Sequence, residues 1–220
     1  MRYKLACFDL DGTLADNVTS SWQLFHDYFR VDAKKREDNR RQFFEGRIPY
    51  VEWARRDVEL WKERGVTRQS FIEAMRGRTG LMPGARFVLE HLKESGMRLA
   101  LVSGSVNVVL DHLIPDHKKI FDHVHLTELF FDDKGRIADV NPTPFDMEGK
   151  AIALKNIAAK ESIPLSQCVF VGDHHNDVHI ARAAGLSIAF NSPIQQLRTA
   201  SSIVIEGKDL RKILPYILIP

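Results

Sequence analysis

Two aspartates, Asp9 and Asp11, stand one residue apart directly after the apolar run Leu5–Phe8, and Gly12 and Thr13 follow at once. Like charges at this spacing repel each other, so a purely structural reason for the pair is hard to find. A bound cation removes the repulsion, and carboxylate oxygens are ligands that Mg²⁺ prefers. The pair therefore predicts a site that binds a metal ion, performs a reaction, or does both.

Polar residues follow two further apolar runs in the same way. Ser103 and Gly104 come directly after the run 98–102, and Asp173 comes shortly after the run 168–171. The carboxyl ends of parallel strands converge and form the ligand-binding crevice of an open sheet. We expect these polar residues to share one crevice with the first aspartates. Ser103 and Gly104 are expected at the start of a helix, where N–H groups bind an anion.

This set of residues has the chemistry needed to cleave a phosphate ester. With Mg²⁺ held by Asp9 and Asp173, one carboxylate can attack phosphorus while Asp11 protonates the leaving oxygen and later takes a proton from water. Lys150, predicted to open a helix, can neutralise the transferring phosphoryl group. Asp177 is expected to orient Lys150 or a water on the metal.

Each of these residues also has a structural explanation when it is taken alone. Asp11 suits a turn with the glycine after it, Asp173 and Ser103 suit helix N-caps, and a lysine such as Lys150 usually lies in solvent. Taken together, these explanations do not account for acids and hydroxyls at the ends of three strands that share an edge.

The elements that must position these residues follow an α/β pattern. From about residue 84 onward, amphipathic segments alternate with apolar runs, and continuous apolar runs are typical of strands covered on both faces. We predict a doubly wound parallel sheet, with a hairpin between Val124 and Val140. The five predicted strands are 5–8, 98–102, 168–171, 186–190 and 202–205.

Residues 16–81 interrupt this pattern, since they carry helical stripes and no convincing strand. The simplest interpretation is an inserted helical cap, which divides the chain into core 1–15, cap 16–81 and core 82–220. The charged stretch 34–41 mixes signs, which predicts a solvated helix face and not a nucleic-acid patch.

The composition narrows the class of protein further. The net charge of +2 gives no reason to expect nucleic acid or an anionic membrane as a partner. No apolar run approaches the roughly 20 residues that span a bilayer. Cys7 and Cys168 lie in apolar runs and are predicted to be free thiols, as is typical of a reducing compartment. We expect a cytoplasmic protein whose partner is a small phosphorylated metabolite, and its oligomeric state is not predicted.

Taken in chain order, four segments resemble the motifs of the haloacid dehalogenase (HAD) superfamily. They are 9–13, Ser103, Lys150 and 172–177, and together they span the predicted core. The resemblance implies a Rossmann-like core with a C1-type cap and the activity of a phosphomonoesterase.

The resemblance also implies a role for each motif residue. Asp9 is implied to be the nucleophile that becomes an aspartyl-phosphate, and Asp11 the general acid and base. Mg²⁺ is implied to bind Asp9, the backbone carbonyl of Asp11, and Asp173. The implied phosphate-binding residues are Ser103, Gly104, Lys150 and Asn176, with Asp177 in support. His174 and His175 are not assigned to the metal, because an oxygen-rich site suits Mg²⁺ better than Zn²⁺.

Three further segments resemble the phosphoserine phosphatases within this superfamily: 46–56, 184–191 and 205–214. That family carries a glutamate soon after the first motif to bind the substrate amine, whereas this chain has 15–20, ADNVTS, in that place.

The cap arginine that binds the substrate carboxylate in that family maps onto Arg56, while Asp57 occupies the ungapped position. Tyr50 and Arg56 are therefore the expected specificity residues. Phosphoserine is expected to be hydrolysed no better than another small organic phosphate.

Several alternatives stay open from the sequence. A phosphotransferase results if another alcohol outcompetes water, and another HAD hydrolase, such as a dehalogenase, shares the nucleophile but has no use for the second acid, Asp11. A receiver-like signalling module shares the acidic pocket, but it needs no cap and has its phosphorylated aspartate on a later strand.

Overall fold

The computed structural model describes residues 2–147 and 149–218, so the predicted core limits at residues 1 and 220 lie outside the described residues. The strands in chain order are β1 (Leu5–Phe8), β2 (Ala15–Asp16), β3 (Gly80–Leu81), β4 (Arg98–Val106), β5 (His123–Phe131), β6 (Ile137–Asn141), β7 (Cys168–Gly172), β8 (Leu186–Phe190) and β9 (Ile203–Ile205).

The helices between these strands are mostly short. In chain order they are α1 (Ser21–Phe29), α2 (Ala33–Phe44), α3 (Tyr50–Glu63), α4 (Arg68–Met75), α5 (Ala85–Glu94), α6 (Asn107–Leu113), α7 (His117–Ile120), α8 (Lys150–Lys160), α9 (Val178–Ala183), α10 (Gln195–Ala200) and α11 (Leu214–Ile217). Single 3₁₀ turns lie at Pro144–Asp146, Leu165–Gln167, His175–Asp177 and Leu210–Ile213.

In the described parts of the chain, one central sheet contains seven strands in the order β6-β5-β4-β1-β7-β8-β9. All neighbouring strands are parallel except β5 and β6. Strand β1 lies between β4 and β7, with Cys7 opposite Ala100 on one side and Phe170 on the other. The carboxyl ends of β1, β4 and β7 are therefore neighbours, and the predicted α/β class with a parallel Rossmann-like sheet is confirmed.

Both faces of the sheet are covered, which explains the continuous apolar runs. Alternate residues of β1 pack into different hydrophobic clusters, Ala6 and Phe8 into one and Leu5 and Cys7 into the other. Cys7 and Cys168 are buried free thiols, as predicted. Within the described chain, no helix has the length and apolar character to cross a membrane.

One expectation about the strands is wrong, and another needs an addition. Strand β4 continues through Ser103 and Gly104 to Val106, so these residues do not open a helix; α6 begins only at Asn107. The pairing of β4 with β5 carries an irregularity between Val102 and Val106, which lets the strand resume beyond the polar stretch. The predicted hairpin does form, but its first strand also pairs with β4 and so belongs to the central sheet.

The segment 16–81 is also not purely helical. Strands β2 and β3 pair antiparallel where this segment leaves and rejoins the core, with Ala15 opposite Leu81 and Asp16 opposite Gly80. Strands of two residues are too short to show a period in sequence. We propose that this pair is the neck of a cap domain, and we use the word cap for residues 16–81 below.

Three of the four helices described in the cap, α1, α2 and α4, begin at polar capping residues, and aromatic side chains pack between the helices. Ser20 accepts a hydrogen bond from the N–H of Gln23 at the start of α1, and Asp32 caps α2 in the same way. Phe25, Trp61 and Phe71 are fully buried and contact one another edge to face. Helix α2 is mostly exposed, in agreement with the predicted solvated face of the stretch 34–41.

Candidate active site

Two acids lie at adjacent strand ends in the centre of the sheet. Asp9 comes directly after β1, and its N–H donates to the carbonyl of Val171 in β7 at 3.0 Å. Asp173 comes directly after β7. Both side chains are buried, because the strands that carry them are interior strands of the sheet.

Lys150 opens α8 and lies between two of the acids. Its Nζ donates to Oδ1 of Asp9 at 2.8 Å and to Oδ1 of Asp177 at 2.7 Å, and its side chain is only 1% exposed. Burial alone would lower the pKa of Lys150, but Asp177 and Asp9 raise this pKa overall, so the amine is a cation. The alternative explanation, that Lys150 is an ordinary lysine in solvent, is therefore wrong.

The second oxygen of Asp177 fixes the loop that follows β7. Its Oδ2 accepts hydrogen bonds from the N–H groups of Asp173 at 2.9 Å and His174 at 3.0 Å. Burial raises the pKa of Asp177 to about 6, although Lys150 opposes that rise. Asp177 thus holds both the lysine and the backbone next to Asp173, a positioning role that its spacing predicted.

The acids form a group that fits a divalent cation. Asp9, Asp173 and Asp177 each offer one oxygen, and these oxygens lie within 4.8 Å of one another. Both oxygens of Asp177 are already bonded to Lys150 and to backbone N–H groups, which leaves Asp9 and Asp173 as the more available ligands.

The surroundings of Asp173 support the same assignment. Burial, followed by the charges of Asp9 and Asp177, raises the pKa of Asp173 well above its ordinary value, and a bound cation would relieve that cost. Gly12 has φ +78°, and a Cβ at this position would collide with the Asp173 carboxylate. The residues present therefore fit an oxygen-ligated ion such as Mg²⁺.

Asp11 has one bound oxygen and one free one. Its Oδ2 accepts from the N–H of Ser21, the first residue of α1, at 2.6 Å. Its Oδ1 is buried and finds no hydrogen-bond partner among the described residues. Burial is the main reason why the pKa of Asp11 is raised, which favours a carboxyl group that carries a proton. Sequence reasoning missed Ser21, because its contact with Asp11 depends on where the cap begins.

Three of the four expected phosphate-binding residues line a cavity next to these acids, and Lys150 is not among its described lining residues. Ser103, Gly104 and Asn176 line it, and the Oγ of Ser103 accepts from the N–H of Ser105 at 3.2 Å. The Nδ2 of Asn176 already donates to the carbonyl of Phe145 at 2.7 Å. Direct contacts of these residues with a phosphate stay predictions.

The two expected specificity residues have different positions. Tyr50 lines the cavity, and its hydroxyl donates to Oδ2 of Asp146 at 2.7 Å. Arg56 instead donates to Glu52 at 2.7 Å and to Gln42 at 3.1 Å, and it is not among the described residues that line the cavity. The structure does not bring Arg56 to the site.

The cavity itself has a volume of about 320 Å³ and lies between the strand ends and the cap. Sequence reasoning missed Asp146, His26 and an inward position of Asp57 in its wall. Burial raises the pKa of Asp146 to about 7. Asp146 lies four residues before Lys150, but a lone acid in a loop carries no distinctive signal in a single sequence.

The whole chain is similar to known hydrolases. The family model described as haloacid dehalogenase-like hydrolase matches residues 3–185. A phosphoserine phosphatase of Methanocaldococcus jannaschii is 31% identical over 218 residues, which are 97% of each chain. A phosphoserine phosphatase of Streptomyces coelicolor is 36% identical over 124 residues, which are 56% of this chain and 30% of that longer protein.

Similarity to solved structures covers the core and the cap together. A structure of a phospho-aspartyl intermediate analogue of phosphoserine phosphatase is 28% identical, with a TM-score of 0.73 over 99% of this chain and 100% of that one. A substrate-bound phosphoserine phosphatase has the same identity and TM-score, with 98% of each chain covered.

Proposed function

The chain belongs to the haloacid dehalogenase-like hydrolase family and is a phosphatase, and from this premise we propose that it is a Mg²⁺-dependent phosphomonoesterase that forms an aspartyl-phosphate on Asp9. Its proposed substrate is a small organic phosphate, phosphoserine or a related metabolite. The observation that carries the proposal is the buried Lys150, whose amine contacts Asp9 and Asp177. Asp9 also lines the cavity, together with Asp11.

Asp9 is the proposed nucleophile. Lys150 binds Oδ1 of Asp9, which orients the carboxylate and leaves Oδ2 to attack phosphorus. The ester bond to the leaving oxygen breaks as the bond from Oδ2 to phosphorus forms, and water later hydrolyses the aspartyl-phosphate. The positive charge of Lys150 also offsets the negative charge that the phosphate brings next to the acids.

Asp11 is the proposed general acid and base. Asp11 lines the cavity, its Oδ1 has no hydrogen-bond partner among the described residues, and burial raises its pKa, which favours the protonated form that can donate to an alkoxide leaving group. Once deprotonated, the same oxygen can accept a proton from the water that hydrolyses the aspartyl-phosphate.

Asp9 and Asp173, with the backbone carbonyl of Asp11, are the residues proposed to hold Mg²⁺. When bound, this ion supplies charge neutralisation for the phosphate among the buried carboxylates. Thr13 and Ser192 hold the metal-binding segment in place, since Thr13 donates to Oδ1 of Asp173 at 3.0 Å and Ser192 donates to its carbonyl at 2.5 Å.

A test with purified protein compares hydrolysis of phosphoserine and p-nitrophenyl phosphate with Mg²⁺ and with excess chelator. We expect turnover with Mg²⁺, no turnover in chelator, and recovery when Mg²⁺ is added back. Asp9→Asn should retain less than about 1% of the activity, because the amide is a poor nucleophile. Asp133→Asn, which alters an exposed acid in the hairpin turn, is the matched control and should behave as wild type.

Acid quench after mixing with ³²P-labelled substrate should trap labelled protein in the wild type and not in Asp9→Asn. Full turnover with all metal removed, or substantial activity of pure Asp9→Asn, would refute the proposal. Release of free phosphate in the presence of added alcohols separates hydrolysis from phosphoryl transfer to another acceptor.

A further inference from the structure

The core and cap sides of the cavity differ in chemistry. On the core side, the described residues that line it are polar or are glycine, and none of them is a phenylalanine, tyrosine or tryptophan. The cap side is rich in aromatic rings, although the proposed phosphate chemistry at Asp9 does not require them. We call these cap residues the aromatic wall. They are Trp22, Phe44, Tyr50 and Trp53.

Three residues of the aromatic wall form one surface around Trp53. The ring centroids of Phe44 and Tyr50 each lie 5.9 Å from that of Trp53. Phe43 in addition stacks on Trp53, with 4.7 Å between the ring centroids. These distances are typical of aromatic side chains in contact. Packing within the cap therefore holds this surface in place.

Phe44 is the exposed end of the aromatic wall. It is 57% exposed and yet lines the cavity, so it lies where the cavity opens to solvent. A single exposed phenylalanine on a protein surface needs no explanation. An exposed ring that continues an aromatic surface into a cavity with catalytic residues instead indicates a binding surface.

The arginines that line the cavity are bonded to other residues of the cap. Arg36 donates to the side-chain oxygen of Gln23 at 2.7 Å, and Arg40 donates through two nitrogens to Glu37. The guanidinium carbon of Arg40 also lies 5.3 Å from the ring centroid of Phe44. Both guanidinium groups thus have partners in the cap, and Arg40 supports the ring of Phe44.

Asp57, the acid on the cap side of the cavity, also has its contacts within the cap. Its Oδ1 accepts from Nδ2 of Asn39 at 3.2 Å, and its Oδ2 lies 3.4 Å from Nε2 of His26. The indole N–H of Trp61 donates to Nδ1 of His26 at 3.1 Å, so the imidazole is neutral. Burial, which lowers the pKa of His26, favours the same form. Aromatic rings are therefore the main surface that the cap offers to a ligand.

The cavity is large enough for a ring beside a phosphate group. Its volume is about 320 Å³. An apolar cavity of about 150 Å³ is enough to bind benzene. The remaining volume can hold a phosphate at the strand ends.

We propose that the alcohol part of the substrate carries an aromatic ring, which packs on Phe44 and Trp53 while the phosphate lies at Asp9. This inference rests on the proposed function and narrows its substrate class, since phosphoserine has no ring. Packing removes apolar surface of the ring and of the two side chains from water, and aromatic pairs gain further attraction from edge-to-face or offset contact. A short polar alcohol makes neither contact.

The test compares two pairs of phosphate esters with Mg²⁺ present, and each pair differs in the ring. They are 2-phenylethyl phosphate with propyl phosphate, and uridine 5′-monophosphate with ribose 5-phosphate. All four release a primary alkoxide, so the chemical step is similarly demanding within a pair. We expect the wild type to prefer the ring in kcat/KM by about tenfold or more in at least one pair. Preference in the first pair assigns a ring on a short alkyl chain, and preference in the second assigns a nucleobase.

Variants of the aromatic wall test which residues contact the ring. Phe44→Ala truncates an exposed side chain, so the fold should be kept, and Trp53→Leu replaces the inner ring by an apolar side chain. Each should lower the preference for the ring by about threefold or more. Phe87→Ala alters a phenylalanine of α5 that is 53% exposed, and it is the matched control that should keep the wild-type preference.

The outcomes separate the inference from the proposed function. If the wild type hydrolyses the ringless esters but prefers the ring less than about threefold in both pairs, the inference is wrong and the proposed function stands; this result needs no variant to fold. If folded Phe44→Ala keeps the full preference, the ring does not pack on Phe44, and the assignment is wrong. If no ester is hydrolysed with Mg²⁺, the proposed function fails and the inference fails with it.

Discussion

Asp11 lines the cavity and has one carboxylate oxygen without a hydrogen-bond partner among the described residues, and burial is the main cause of its raised pKa. Because Ser21 bonds the other oxygen through its backbone N–H, the free oxygen is held in a fixed direction. An alkoxide leaving group needs a proton from a well-placed acid, whereas a nitrophenolate, which is already stable, needs little proton assistance.

Asp11→Asn should therefore slow the phosphorylation step more for an alkyl phosphate than for p-nitrophenyl phosphate. We expect a loss of roughly 10²-fold or more for the alkyl ester and a clearly smaller loss for the nitrophenyl ester. The measurement is the pre-steady-state burst, since the later hydrolysis of aspartyl-phosphate also requires Asp11. Equal losses for both esters in the burst would show that Asp11 does not donate the proton.

Single residues were predicted unevenly from the sequence, for a physical reason. Asp9 and Asp173 end neighbouring strands, so their meeting follows from the strand order, and Lys150 joins them from the start of a helix. Asp146 and the inward side of Asp57 depend on how a loop and a cap helix pack over the sheet. No local period records that packing in the sequence.

Elements were predicted best where they are long or fully buried. Strand β1 lies between two other strands, and its continuous apolar run was enough to predict it. Strands β2 and β3 have two residues each, which is too short for a hydrophobic pattern in the sequence. Strand β4 was predicted to end at Val102, since serine and glycine are common where strands stop. Pairing with β5 carries it on to Val106.

Helix α1 carries His26, whose neutral form has a consequence for stability. Burial lowers the pKa of His26 below the ordinary value of 6.5, so below that pH the unfolded chain binds a proton that the folded chain does not. The neutral, buried His26 makes its full contribution to the free energy of unfolding above pH 6.5. It is lost as the pH falls from there toward the folded pKa.

His26→Gln should remove this acid dependence, because glutamine does not titrate and its oxygen can still accept from Trp61. Relative to the variant, the wild type should lose free energy of unfolding below about pH 6.5, by at most about 1.4 kcal/mol per pH unit. Urea unfolding between about pH 7.5 and pH 5 measures it. His112→Gln, an exposed change, should follow the wild type. Parallel profiles of wild type and His26→Gln would contradict a neutral, buried His26.

At the scale of the whole molecule, the α/β class and the family were predictable from the order of strand ends and motifs, and both are confirmed. The meeting of cap and core was not predictable. Hydrogen bonds cross between them at the cavity, among them those from the indole of Trp22 to the carbonyl of Gly104 at 3.0 Å and from Tyr50 to Asp146 at 2.7 Å. Each joins residues far apart in the chain, so only the folded molecule reveals it.

The bond between Tyr50 and Asp146 should help to hold the cavity closed over the substrate, so removing it should lower kcat/KM. Tyr50→Phe is expected to lose about three- to tenfold, in line with about 1 kcal/mol for one hydrogen bond. The measurements belong at about pH 8, since a pKa of about 7 leaves Asp146 mostly ionised there. Tyr28→Phe, which alters an exposed tyrosine of α1, is the matched control and should have no effect.

A double-mutant cycle with Asp146→Ala separates the contribution of this hydrogen bond from other effects of Asp146 on activity, such as its charge near Asp11. If the two side chains act through their shared bond, Tyr50→Phe costs nothing further once Asp146 is alanine, and the coupling is about 1 kcal/mol. Tyr50→Phe losses that are the same with and without Asp146 would mean that the hydrogen bond does not couple cap to core. The cap would then be held over the site by packing, by the neck of β2 and β3 and by the other hydrogen bonds between cap and core.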